Sequence, residues 1–330
     1  MMSILKLLSG GIAGLIALVV ILFIAMRGDY TVAALVTEDG TLPSREIADV
    51  RLHMRILEGP TDARTIVVLH GGAGSDFRSL LGLSGLADTH RVVFYDQRGA
   101  GLSERVPAEL LTLDGYLEEL DAVIALTSPG RPVVLIGHSW GAVLASAYLG
   151  AHQDRVARAV LIEPGYLEAD GKVAWDARAA DFMSGVGYAL NAVLNGFRAA
   201  HVTGPDDQAS DDFLIGQMIG VFVNHPENPY HCGTGYTAPT WRFGSLASAL
   251  WRDALVTELD RIARGTEYPG PVLFLAGGCN DWTGAPLQRR HVALFADARL
   301  QVIPDAGHDV VWDNPAAAIP AIRAFLSGDI

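Results

Sequence analysis

The chain has 330 residues, 50% of them hydrophobic, with 24 basic and 37 acidic side chains and a net charge of −13. That much apolar material buries a sizeable core and excludes a disordered chain, and the length suits one large α/β domain or two small ones. The negative balance repels phosphate backbones and argues against nucleic acid as a partner, while two cysteines, Cys232 and Cys279, are too few for a disulfide scaffold or a closed zinc site.

From Leu7 to Met26 no side chain is charged, with Lys6 before the run and Arg27 after it. A helix of that length spans about 30 Å, the thickness of a bilayer's hydrocarbon core. The run is longer than the apolar part of a cleaved signal and ends without a small-x-small site. Residues 1–28 are therefore expected to form an uncleaved membrane anchor. The positive charge ahead of the run favours a cytoplasmic N-terminus and an extracytoplasmic body.

Beyond the anchor, short apolar β-rich runs alternate with helical patterns. Residues between Val32 and Leu57 are expected to supply one or two edge strands. Thr65–His70, Arg91–Tyr95, Pro132–Gly137, Val156–Ile162, Pro271–Ala276 and Ala298–Ile303 read as strands. Most are continuously apolar, as in strands covered on both faces. Leu113–Leu126, behind Thr112 as a cap, reads as a helix, and so do Trp140–Gly150 and Pro315–Leu326. Alternating βα units imply a mostly parallel sheet flanked by helices. Between about Gly165 and Gly265 the alternation stops and the pattern is helical. A structureless loop of that length is implausible, so a helical cap is expected over the sheet's C-terminal edge. The expected organisation is anchor 1–28, first part of the core 29–164, cap 165–265 and second part of the core 266–330.

The strongest chemical signal is Gly137-His138-Ser139-Trp140-Gly141, a G-x-S-x-G pattern between an apolar strand and a helix. A sharp strand-to-helix turn exposes a serine hydroxyl above the sheet, and the small neighbours let strand and helix crowd together. A serine needs a base, and the chain order in such folds is Ser, acid, His. His308 and Asp281 both follow strands in that order, so Ser139, His308 and Asp281 are expected as nucleophile, base and orienting acid. Glu163, at the end of the preceding strand, competes with Asp281. His70-Gly71-Gly72-Ala73-Gly74 also follows a strand. Its glycines turn backbone N–H groups toward the site, so Gly72 and Trp140 are expected as oxyanion donors, with Gly71 as a further candidate. A dinucleotide reading of Gly72-x-Gly74 fails at Phe77, which stands where a third glycine is needed.

Taken together, HGGAG at 70–74, DQRGAGLS at 96–103, GHSWGA at 137–142, Asp281 and His308 resemble the proline iminopeptidase-like branch of the α/β-hydrolase fold, over essentially residues 45–327. The resemblance implies attack of the serine on an acyl carbon beneath a cap. In true proline iminopeptidases cap carboxylates bind the free amine of the substrate, and the cap often carries a tryptophan followed closely by glutamate. Here Trp241 is followed by Arg242, Phe243 and Gly244. Glu163, Glu168 and the acids between Asp206 and Asp212 are the substitutes on offer. Trp140, Trp241, Trp251 and Trp282 are candidates to line an apolar pocket, each with a core role as the alternative. In Asp96-Gln97-Arg98-Gly99 a structural loop with a buried ion pair is expected.

The expected function is hydrolysis of an ester, lactone or amide bond of a small molecule through an acyl-enzyme, with an N-terminal exopeptidase as the alternative and a non-catalytic binding protein as a distant third. The expected partner is a small molecule or short peptide. No metal or organic cofactor is required; His225, His231 and Cys232 make too short and open a ligand set. Cys232 and Cys279 either stay free or pair and tie the cap to the core near Asp281.

Overall fold

The computed structural model describes residues 2–232, 238–254 and 258–328. Its centre is an eight-stranded sheet: β1 (Ser44–Ile47), β2 (Val50–Leu57), β3 (Thr65–Leu69), β4 (Arg91–Tyr95), β5 (Val133–His138), β6 (Val156–Ile162), β7 (Val272–Gly277) and β8 (Ala298–Ile303), in the order β1-β2-β4-β3-β5-β6-β7-β8. The two edge pairings β1–β2 and β2–β4 are antiparallel and the other five are parallel. β3, β5 and β7 are buried along their whole length. That explains their unbroken Val, Ile and Leu runs, since helices cover both faces of a parallel sheet.

Helix α1 spans Met2–Ala25, and α2 spans Leu113–Thr127 with the Thr112 hydroxyl accepting from Gly115 N at 3.1 Å. The helix α3 (Trp140–Ala151) is buried along ten of its residues, and α11 (Pro315–Ser327) closes the other face of the sheet after α9 (Ala285–Val292) and the short α10 (Val310–Asp313). Between β6 and β7 every described element is helical: α4 (Ala169–Phe182), α5 (Gly185–Ala199), α6 (Ala209–Val223), α7 (Ser245–Ala254) and α8 (Leu259–Ala263). The last of these belongs to the core layer. Leu259 and Ile262 are buried in the same cluster as α3, and Ser146 Oγ donates to Ile262 O at 2.9 Å.

The insertion is held together, and tied to the core, by buried polar contacts. Arg242 pairs with Asp206 at 2.6 Å and Asp212 at 2.7 Å, and Arg105 reaches Asp212 at 2.9 Å. The Asp76 carboxylate accepts from Trp241 N at 2.6 Å. Asp206 and Asp212 are thus taken up in an ion network, where buried charges need partners, and Glu168 is exposed.

The N-terminal expectation is corrected. Among the described residues no helix is long and apolar enough to cross a membrane. This removes the basis for the anchor and, with it, for an extracytoplasmic body. The last turns of α1 are engaged with protein: His201 Nε2 donates to Phe23 O at 2.6 Å and the two rings lie 4.2 Å apart.

Candidate active site

Parallel register brings the ends of β5, β6 and β7 level. His138 pairs with Ile162, and Ile162 with Leu275. The next residue on β5 is Ser139 and the next on β6 is Glu163, so both stand at the C-terminal edge of the sheet. Each has a positive φ, 53° for Ser139 and 46° for Glu163. Such a conformation is costly for a residue with a side chain, by about 1–3 kcal/mol, and it persists where the surroundings impose it. At Ser139 the turn is forced by the direct passage from β5 into α3. A Cβ on Gly141 would collide with the Leu69 carbonyl, so only glycine lets α3 lie this close to β3.

His308 reaches the same edge from the loop after β8. Its Nδ1 lies 2.8 Å from Glu163 Oε2. Asp281, expected in that role, is exposed and makes no hydrogen bond to His308 among the described residues. The cause is the turn after β7. Asn280 Oδ1 accepts from Trp282 N at 3.0 Å and Thr283 N at 3.1 Å, an Asx turn that points Asp281 outward. The same turn aims Asn280 and Thr283 inward. Asn280 Nδ2 donates to Glu163 Oε2 at 2.6 Å, Thr283 Oγ1 to the same oxygen at 3.0 Å, and Gly277 N to Oε1 at 2.7 Å.

Burial pushes the Glu163 carboxyl up, and the Gly277 N–H, Thr283 hydroxyl and Asn280 amide pull it back. The imidazole N–H is a fourth donor. Because an ionised carboxylate only accepts, this set matches Glu163 as the anion and His308 as neutral imidazole with its proton on Nδ1. Burial lowers His308 to about 3. The neutral form is the one that takes a proton, so burial moves the acid limb of kcat/KM below the ordinary histidine value of about 6.5, against the opposing pull of the Glu163 carboxylate at 2.8 Å. The sign follows from burial opposing the imidazolium: activity is kept as pH falls and is lost only when the ring finally charges. A limb at or above about 6.5 in a pH–rate profile contradicts this reading.

Ser139 and His308 line one cavity of about 310 Å³. Its floor includes Gly71, Gly72, Ser75, Ser79 and Asp309. Its roof comes from the insertion and is mostly apolar, with Trp175, Met183, Ile219, Phe222, Val223 and Phe243. Gly72 has φ +54°, and its N–H has no partner among the described residues. Trp140 begins α3 next to the serine, and its indole donates to Gln97 Oε1 at 3.0 Å. Gln97 in turn bonds His70, through its backbone N–H to Nε2 at 3.0 Å and its side-chain amide to the carbonyl at 3.1 Å. The DQRG segment thereby ties the glycine loop to the serine turn, while Arg98 and Glu119 form a buried ion pair at 3.0 Å.

The other candidates fall elsewhere. Trp241 packs edge-on against Phe77 and His53 and is not on the cavity wall. Trp282 stacks behind the site, and the side chain of Trp251 lies outside the described residues. Glu163 is buried behind His308 rather than facing the cavity. Among the described residues no group of three His, Cys, Asp or Glu is placed to hold a metal, and Cys232 is bonded to Cys279. Trp175, Tyr230 and Asp309 are wall residues that pattern reasoning missed. Only Asp309 carried a signal, as the neighbour of His308. A second hollow of about 330 Å³, around Asp114, Asp121, His152 and Arg261, lacks any serine or cysteine.

Residues 64–315 match the family described as alpha/beta hydrolase fold. The chain belongs to that family. This α/β hydrolase is 48% identical over 84 residues to a proline iminopeptidase of Heyndrickxia coagulans, a match covering 25% of this chain and 29% of that one. That likeness thus spans under a third of the relative. Over 86% of its length it is 26% identical to an sn-1-specific diacylglycerol lipase of Mus musculus, covering 88% of that protein. Among solved structures it resembles a proline iminopeptidase-related protein of Thermus thermophilus, with TM-score 0.58 and 23% identity, covering 86% of this chain and 96% of that one. An enol-lactonase of Burkholderia xenovorans matches with TM-score 0.58 and 21% identity, covering 86% of this chain and 100% of that one. The sequence is thus that of an α/β-hydrolase family member similar, over part of their length, to proline iminopeptidases.

Proposed function

We propose that this α/β hydrolase cleaves an ester, lactone or related acyl bond of a small, largely apolar molecule. The observation that carries this is the cavity beside Ser139 and His308, whose described roof is mostly apolar, with Asn224 and Thr240 among its polar members, and contributes no carboxylate. In this reading residues 165 to about 258 act as the cap. Ser139 attacks the carbonyl carbon, and His308 takes the hydroxyl proton and returns it to the leaving group. Glu163 holds the imidazole in the required tautomer and stabilises its charged form. The backbone N–H groups of Gly72 and Trp140, at the start of α3, take the developing oxyanion. Water then cleaves the acyl-enzyme by the same route in reverse. The catalytic steps need no metal or organic cofactor.

An exopeptidase is the second reading, supported by the iminopeptidase relatives and by one residue. Asp309 is a carboxylate on the cavity wall, next to His308 and hydrogen-bonded to Ser79. Burial and the Asp313 charge raise its pKa to about 8, so holding an ammonium there near neutral pH also requires the carboxyl to give up its proton. The test is a paired assay of short-chain p-nitrophenyl esters and a prolyl-arylamide on the same enzyme, with Ser139→Ala as control. Ester turnover is expected to exceed arylamide turnover by about 100-fold or more, a gap of the size given by a missing charged recognition contact. Arylamide turnover equal to or above ester turnover overturns the ester reading in favour of the exopeptidase.

A further inference from the structure

The catalytic imidazole is the last ring of a stack. Trp175 of α4 lies over Trp282 with centroids 5.5 Å apart at 22°, Trp282 over Tyr230 at 4.8 Å and 25°, and Tyr230 over His308 at 4.1 Å and 12°. The rings alternate between the insertion and the core. The backbone repeats the link, because His308 N donates to Tyr230 O at 2.9 Å. This close approach requires the missing side chain at Gly307, where a Cβ would collide with the Tyr230 carbonyl. On its other side His308 is held by His138, whose Nε2 donates to the His308 carbonyl at 3.0 Å.

Tyr230 is itself held by a covalent bond. Cys232, two residues on, is bonded to Cys279. Cys279 N donates to Ala306 O at 2.9 Å, and the next residue is Asn280, a donor to Glu163. The bridge therefore joins the segment that covers His308 to the turn that holds its acid. Cys232 is exposed, so a small reductant reaches the bond.

We propose that Tyr230 is the positioning residue of the catalytic base and that the Cys232–Cys279 bridge keeps it there, so that turnover falls when the bridge is reduced. The proposal rests on the Ser139–His308 reading above. Tyr230 fixes the plane of the imidazole, and its π face favours the imidazolium formed when Ser139 gives up its proton. Reduction by a dithiol breaks the Sγ–Sγ bond and leaves two thiols. The dithiol supplies two electrons and two protons and closes as its own disulfide. The loosened segment then lets the ring leave the geometry that proton transfer needs.

The experiment measures kcat and KM on a p-nitrophenyl ester for the full chain and for Tyr230→Phe, Tyr230→Leu and the double variant Cys232→Ser/Cys279→Ser, each with and without a dithiol. Thiol titration reports the state of the bridge. Tyr230→Phe keeps the ring and is expected within about two-fold of the parent, whereas Tyr230→Leu loses about ten-fold in kcat, a loss larger than the change in KM that follows from its place on the cavity wall. Reduction is expected to bring the parent's kcat down to that of the double variant, which ignores the dithiol. A Tyr230→Leu enzyme with the parent's kcat overturns the positioning role. A fully reduced parent with undiminished kcat overturns the role of the bridge. If Tyr230→Leu fails to fold, the dithiol arm on the parent still decides. Ser139→Ala run alongside separates the two ideas: turnover surviving that change sinks the mechanism, whereas its loss with flat Tyr230 and dithiol arms sinks this inference alone.

Discussion

Replacing Glu163 by glutamine will cut kcat on a good ester by about 10³–10⁴-fold, while Asp281→Asn will leave it within about two-fold. The amide keeps the size of the carboxylate but offers an N–H as well as an oxygen. Gly277 N donates to one oxygen, Oε1, and Asn280 Nδ2 to the other, Oε2, which also faces His308, so the glutamine meets a donor with its own N–H at one of the two positions and faces His308 either with the wrong group or with a weaker, uncharged acceptor. In the first case the imidazole proton moves to the nitrogen that should accept from Ser139, and the base is lost. In the second the imidazolium loses its counter-charge in a site where His308 is only 5% exposed. KM should change little, because Glu163 is absent from the cavity wall. Asp281 projects into solvent, where a charge change costs little. The decisive measurement is the pair of kcat values together with thermal midpoints. A large loss in Asp281→Asn with an active Glu163→Gln would restore the assignment drawn from chain order.

Chain order alone does not separate these two acids, since Ser139, Glu163, His308 and Ser139, Asp281, His308 run in the same sense. Both acids follow a strand. What separates them is a side-chain hydrogen bond: Asn280 closes the turn after β7 and sends Asp281 out. No periodicity records that. The strands were legible because their signal is local. Arg91–Tyr95, Val156–Ile162 and Ala298–Ile303 read from apolar runs coincide with β4, β6 and β8. The serine turn was legible for the same reason, as Gly137 and Gly141 answer to steric contact within one strand–helix unit. The roof of the cavity was not. Trp175 and Trp241 have the same composition signal, yet one faces the cavity and the other packs on Phe77. The sequence does not decide whether Cys232 pairs with Cys279, because their Cα separation, 5.1 Å, arises only when the insertion folds back over the β7 turn. The helical pattern alone draws no line between the insertion and the core layer. Helical pattern continues through α8, but Leu259 and Ile262 are buried in the core cluster.

The larger expected loss is at Ser139. Ser139→Ala removes the atom that forms the acyl bond, so kcat should fall by about 10⁵–10⁶-fold, leaving only what the oxyanion donors and binding supply. The change is conservative for the fold. Ser139 Oγ has no hydrogen-bond partner among the described residues, and alanine tolerates the backbone at φ 53° no better and no worse than serine. The thermal midpoint should therefore stay close to the parent's. Ser139→Gly makes the control sharper: it removes the nucleophile and also relieves the positive φ, so it should be inactive yet at least as stable, by about 1 kcal/mol. A serine-reactive phosphonate supplies a readout that does not depend on knowing the substrate. The parent should be labelled once, at Ser139; His308→Ala should label far more slowly, because the hydroxyl then has no base. Both Ser139 variants should stay unlabelled. Labelling at another serine, or full ester turnover by a folded Ser139→Ala, would mean that the strained turn above the sheet serves packing alone. The family's fold would then carry a different chemistry or none.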